Sequence, residues 1–121
     1  MLGNLNKEQL EGILEAIPVE ITFVDENDLI SFWNKREIRI FKRPISLIGK
    51  TVQDYHSKRS VGKVNQLLSD FRIGKRDAVE SCTNREGREI DVGYFPARDR
   101  AGRYPGTLEA AQDITGINKK D

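Results

Sequence analysis

His56 is the only histidine and Cys82 the only cysteine among 121 residues, so the chemistry open to this chain is narrow. A lone imidazole can ligate a haem iron, change charge near neutral pH or hydrogen-bond a ligand. It cannot complete a structural zinc site with one remote thiol. Cys82 has no partner for an intrachain disulfide, which suits a reducing compartment. Its surroundings read as those of a buried small apolar side chain rather than a redox sensor. No nucleophile–base pair, phosphate-binding glycine loop or paired carboxylates stand out. The residues point to a domain that binds or signals, not to an enzyme.

Further candidates come from strand alternation. Between Thr107 and Asp113, the side chains of Thr107, Glu109 and Ala111 fall on one face and Leu108, Ala110 and Gln112 on the other. Ile90, Val92 and Tyr94 share a face, as do Ile30 and Phe32, and these are expected to be core, some of them lining any cavity. Trp33 is core or rim. A register shift of one residue would move Glu109 into solvent. The basic pairs Lys42-Arg43 and Lys58-Arg59 are short and read as solvated.

The elements that must position these residues follow from periodicity and breakers. Leu10, Ile13 and Leu14 recur at helical spacing after Asn6, and Pro18 stops that helix. The stripe is too narrow for a stable isolated helix, so it needs a partner surface. A second copy of the chain, giving a homodimer, is the expected partner. Val19–Val24 and Leu29–Trp33 are β-branched and aromatic and flank four polar residues, the pattern of a hairpin. Asn34 stands where an N-cap would precede a helix over residues 35–41. Val61, Val64, Leu67, Leu68 and Phe71 form one stripe of a helix over 58–71, closed by Gly74. Strands over 77–83, 88–97 and 103–115 follow, divided by turns carrying Gly87 and Gly102. Hairpins around a helical middle make an α+β domain with an antiparallel sheet and a natural cavity under the helices.

Composition sets the outer bounds. Hydrophobic residues make up 37% and charged residues 32%, enough for one domain with a modest core. Twenty basic residues against nineteen acidic leave a charge of +1, which offers no field for nucleic acid or an anionic membrane. No apolar run approaches the roughly 20 residues of a spanning helix, and the first residues lack a secretory pattern. The expected location is cytoplasmic.

Residues 84–115 resemble the C-terminal half of a PAS domain in the order and spacing of Gly87, Pro96, Asp99, Gly102, Gly106 and Asp113-Ile114-Thr115. Phe23-Val24-Asp25 and Phe32-Trp33-Asn34 match the first half, and the likeness spans residues 12–117. Three runs, Pro18–Asn27, Val52–Val64 and Gly106–Glu109, are also similar to PAS domains of hemerythrin-linked bacterial and archaeal regulators. The resemblance implies a five-stranded antiparallel sheet in the order 2-1-5-4-3 with helices on one face. It divides the chain into an N-terminal flanking helix (1–17), a PAS domain (18–117) and a tail (118–121). It further implies a sensory module that binds a small ligand or cofactor and relays a signal through its termini. A ligand-free dimerisation or docking module is the alternative, with an effector domain or partner protein to receive the signal.

Within that likeness some cofactors can be weighed. In flavin-binding light sensors a reactive cysteine stands where Val52 is found, and the flavin-facing glutamine is Ala111 here, which disfavours a flavin photoadduct. In haem-binding members the axial histidine usually lies on the helix before the third strand. His56 precedes that helix, which weakens a haem reading. The position of Ala111 places Glu109 on the pocket face, where a carboxylate needs a partner such as His56, Tyr94, Trp33 or a ligand. The expected ligand wall is therefore Ile30, Phe32, His56, Val92, Tyr94, Glu109 and Ala111.

Overall fold

Asn6 begins helix α1 (Lys7–Ala16) with a reciprocal capping box: its side chain accepts from the Gln9 amide at 2.8 Å, and the Gln9 side chain accepts from the Asn6 amide at 3.0 Å. The computed structural model describes residues 3–35 and 39–117. After α1 come β1 (Glu20–Asp25), β2 (Ile30–Trp33), a 3-10 turn (Ile45–Leu47), α2 (Val52–Tyr55), α3 (Val61–Arg72), β3 (Val79–Arg85), β4 (Arg88–Ala97) and β5 (Gly106–Asp113). The strands form one antiparallel sheet in the order β2-β1-β5-β4-β3, as expected. The pairing of Glu20–Asp25 with Gly106–Ala111 brings the two ends of the domain together. Among the described residues no helix is long and apolar enough to cross a membrane.

The turns explain the spaced aspartates. Asp25 accepts from the amides of Asn27 (2.9 Å) and Leu29 (3.0 Å), closing the β1–β2 hairpin. Asp99 does the same for Ala101 and Arg103, both at 2.9 Å, with Gly102 at φ 80° completing the reversal. Because that turn reaches Arg103, β5 starts at Gly106, later than expected. Gly106 is required for another reason: a Cβ there would lie 2.2 Å from the Val24 carbonyl oxygen of the neighbouring strand. Asp113 ties the far end. Its carboxylate accepts from the Thr115 amide (2.9 Å) and from Arg88 Nε (2.8 Å), while Thr115 Oγ1 accepts from the Glu89 amide (2.8 Å).

Hydrogen bonds from Thr115, and then from Arg88, hold the Asp113 carboxyl down at about 2, below its ordinary 3.8. A depressed carboxylate contributes stability above its unfolded pKa and loses it as pH falls through the folded value. The stability gap between the native chain and Asp113→Asn should therefore be constant above about pH 5 and shrink between about pH 4 and pH 2. Urea unfolding at a series of pH values reads this directly; a gap independent of pH would remove the ion pair from the account.

Three expectations meet corrections. Opposite β1, Trp33 pairs with Thr22, Phe32 with Phe23 and Ile30 with Val24, so Ser31 is an extra residue in β2. The bulge puts Ile30 and Trp33 together in the core with Val24, and Phe32 on the other face. Among the described residues, the Asn34 side chain bonds backward to β1 and α1. Fully buried, it accepts from the Ile21 amide (2.8 Å) and donates to the carbonyls of Leu14 (2.8 Å) and Val19 (3.1 Å), knotting α1 to the hairpin. Of the helix expected over 35–41, residues 36–38 lie outside the described residues, as does the tail at 118–121, and Arg39 to Phe41 are irregular. Cys82 is exposed, because β3 is an edge strand and Cys82 alternates onto the face opposite Val79 and the helices.

Candidate functional site

One rung of the sheet builds the site. Trp33, Thr22, Glu109, Tyr94 and Val79 pair in turn across all five strands, and alternation points them toward the helices. The α3 stripe of Val64, Leu67 and Leu68 faces this rung, leaving a cavity of about 400 Å³. Val24, Ile30, Val52 and Val79 add to its apolar wall. Thr22, Arg43, Tyr94 and Glu109 supply polar groups, with Tyr55 and His56 beside them. A second cavity of about 310 Å³ adjoins it, lined by Phe41, Ser81, Thr83 and Val92. Arg43, Tyr55, His56, Tyr94 and Glu109 border both, so these five side chains form the partition.

The partition is held by an ion pair. Glu109 points inward, and its partner is Arg43 rather than His56. The two side chains are 7% and 18% exposed, a desolvated pair that neither could leave without stranding the other. Arg43 also donates from Nε to Thr22 Oγ1 (3.0 Å) and lies over the Tyr55 ring, 5.2 Å from its centre. Burial, and then the negative charge of Glu109, pushes the Tyr94 hydroxyl well above its usual range, so it stays protonated and able to donate. His56 Nδ1 lies 2.9 Å from the Val52 carbonyl. A carbonyl only accepts, so Nδ1 donates there, and in the neutral ring Nε2 is an acceptor.

Next along the sheet lies a second buried pair. Arg39 and Glu20 are 3.3 Å apart, with side chains 1% and 3% exposed. Glu20 accepts from the amides of Ile40 and Phe41, and Arg39 donates to the carbonyls of Ile21, Asn34 and Phe41 and to Thr22 Oγ1. Thr22 thus accepts from both arginines.

Of the residues expected to line a pocket, the structure brings Ile30, His56, Tyr94 and Glu109 to the larger cavity and Val92 to the smaller. Ala111 is buried beside Ile90 and Val92, with Ile40 and Phe41 packed against them, and Phe32 faces away; neither lines either of these two cavities. Leu10, Ile13 and Leu14 lie on α1, none of them buried. Among the described residues no cluster of three or more metal-binding side chains occurs. Arg39, Thr22 and Glu20 are absent from the sequence reading as site residues, and Arg43 enters it only as half of a basic pair expected in solvent. Their one signal was Glu20 and Thr22 alternating onto the inner face of an otherwise apolar strand, where polar groups demand partners.

A comparison of families matches residues 10–115 to the PAS domain. The chain belongs to the PAS domain family. Domains of this kind act as sensory and regulatory modules and are not catalysts. A solved C-terminal domain from Streptococcus mutans shares 35% identity at a TM-score of 0.90, over 98% of this chain and 94% of that one. The PAS domain of Bordetella pertussis BvgS has the same fold at 17% identity and a TM-score of 0.67, over 93% and 88% of the two chains. Vibrio cholerae VqmA, solved with a ligand and DNA, does so at 22% and 0.62, over 93% of this chain and 53% of that one. No curated protein sequence matches this PAS domain.

Proposed function

We propose that this PAS domain senses a small molecule in the larger cavity and passes the event to α1. One observation carries the reading: an unbroken series of polar contacts joins the cavity to that helix. Glu109 pairs with Arg43, Arg43 donates to Thr22, and Thr22 also accepts from Arg39 at 3.0 Å. Arg39 donates to the Asn34 carbonyl at 2.7 Å, and Asn34 Nδ2 donates to the Leu14 carbonyl at 2.8 Å. A ligand that draws Arg43 or Glu109 toward itself changes what Thr22 and Arg39 must satisfy, and so the anchoring of the last turn of α1. The ligand complex of VqmA supports a small-molecule role by analogy of fold. The runs at 18–27, 52–64 and 106–109 keep the hemerythrin-linked regulators as the narrower relatives within this proposal, and the lone thiol keeps the cytoplasm as its setting.

Hydrogen exchange of the amides from Ile13 to Ile17 tests the coupling. Glu109→Gln should change their protection about 2- to 10-fold. The change should vanish in a Thr22→Val background, where the middle contact is gone. An equal effect in both backgrounds, or none in the native one, would remove the route. A second reading rests on α1 itself: none of its residues is buried and Ile13 is 45% exposed, which suits a contact between two copies. Repeating the exchange at tenfold different protein concentrations separates the two. Protection of α1 that rises with concentration supports the dimer, and constant protection counts against it.

A further inference from the structure

We infer that the cavity selects an uncharged molecule with an apolar body and a carboxamide-like group, in preference to either an anion or a cation of the same shape. The inference rests on reading the cavity as a ligand site and adds the chemistry of what enters. A guanidinium carries five N–H donors. Among the described residues Arg43 uses them for Thr22 and Glu109, one bond each, and the space open to the rest is the two cavities it borders. Glu109 accepts from Arg43 through Oε1 and also from the Tyr94 hydroxyl, so the acceptor left facing the cavity is Nε2 of the neutral His56 ring. The polar end therefore offers donors and acceptors side by side, the complement of a group holding both a C=O and an N–H.

Charge decides against ions. Arg43 and Glu109 cancel each other, and Tyr94 is neutral. An ion entering beside a neutral pair gives up its hydration and gains only a dipole in return. A carboxylate would also face Glu109, and an amidinium Arg43. Lys63, the other charged residue at the cavity, is exposed on α3 and keeps its charge in water.

Benzamide, benzoate and benzamidine share one shape and differ in charge. Titrated into isotope-labelled protein and followed by NMR at the Arg43 Nε–H and Trp33 Nε1–H signals, benzamide should bind at least about tenfold more tightly than either ion. Glu109→Gln leaves Arg43 uncancelled and should move benzoate to first place. Arg43→Gln, a second variant should the first fail to fold, leaves Glu109 uncancelled and should favour benzamidine. Benzoate or benzamidine binding best to the native protein, or an order unchanged in the variants, overturns the inference alone. Binding of none of the three overturns the small-ligand reading with it.

Discussion

Replacing Arg39 with Met is expected to cost about 3–5 kcal/mol, because it leaves the buried Glu20 carboxylate without its counter-charge. It also removes the donor to the carbonyls of Ile21, Asn34 and Phe41 and to the Thr22 hydroxyl, four acceptors with little access to water. Burial lowers the pKa of this guanidinium and Glu20 works against that, but an arginine so placed remains charged. For a domain whose whole stability is about 5–15 kcal/mol, the loss is large enough to unfold a marginal protein. Urea unfolding would show it as a lower midpoint at an unchanged slope. The double variant Glu20→Gln, Arg39→Met should regain a substantial part of the loss, since no charge is then stranded. A single-variant cost below about 1 kcal/mol, the range of exposed ion pairs, would mean that solvent reaches the pair.

Trp33→Ala should cost about 3–5 kcal/mol through lost burial and the cavity left behind. Trp33 is 1% exposed and packs with Val24 and Ile30, against which Leu47 and Val52 also lie. Its neighbour Phe32 supplies the control. The extra residue at Ser31 sends Phe32 to the face away from the helices, where it is half-buried, so Phe32→Ala should cost far less. Equal losses at the two positions, or a larger one at Phe32, would show that β2 runs without the bulge.

Periodicity and turn chemistry determined most of the elements, while their order in the sheet came with the resemblance to PAS domains. Alternation over Thr107–Asp113 put Glu109 on one face with Thr107 and Ala111, the resemblance to PAS domains made that face the pocket side, and the breaks beginning at Asp25 and Asp99 marked turns whose side chains close on nearby amides. Such features are local, set within a few residues by backbone geometry, so they are legible without a fold. The stripe from Val61 to Phe71 belongs with them, since a 3.6-residue period needs no partner to be recognised.

What only the tertiary structure decided depends on which distant groups meet. Ser31 looks like an ordinary strand residue, and the two-against-one pairing that moves Phe32 off the core exists only with β1 beside it. Arg43 reads as half of a solvated basic pair until the chain folds its guanidinium onto Glu109, 66 residues away. Arginine stems are long and flexible, so their sequence position says little about where their charge ends up. His56 was the obvious partner for Glu109 by scarcity, but the Val52 carbonyl one turn earlier engages its Nδ1. Cys82 reads as core from its apolar character, whereas its exposure follows from β3 standing at the sheet edge, a fact of strand order rather than of residue type.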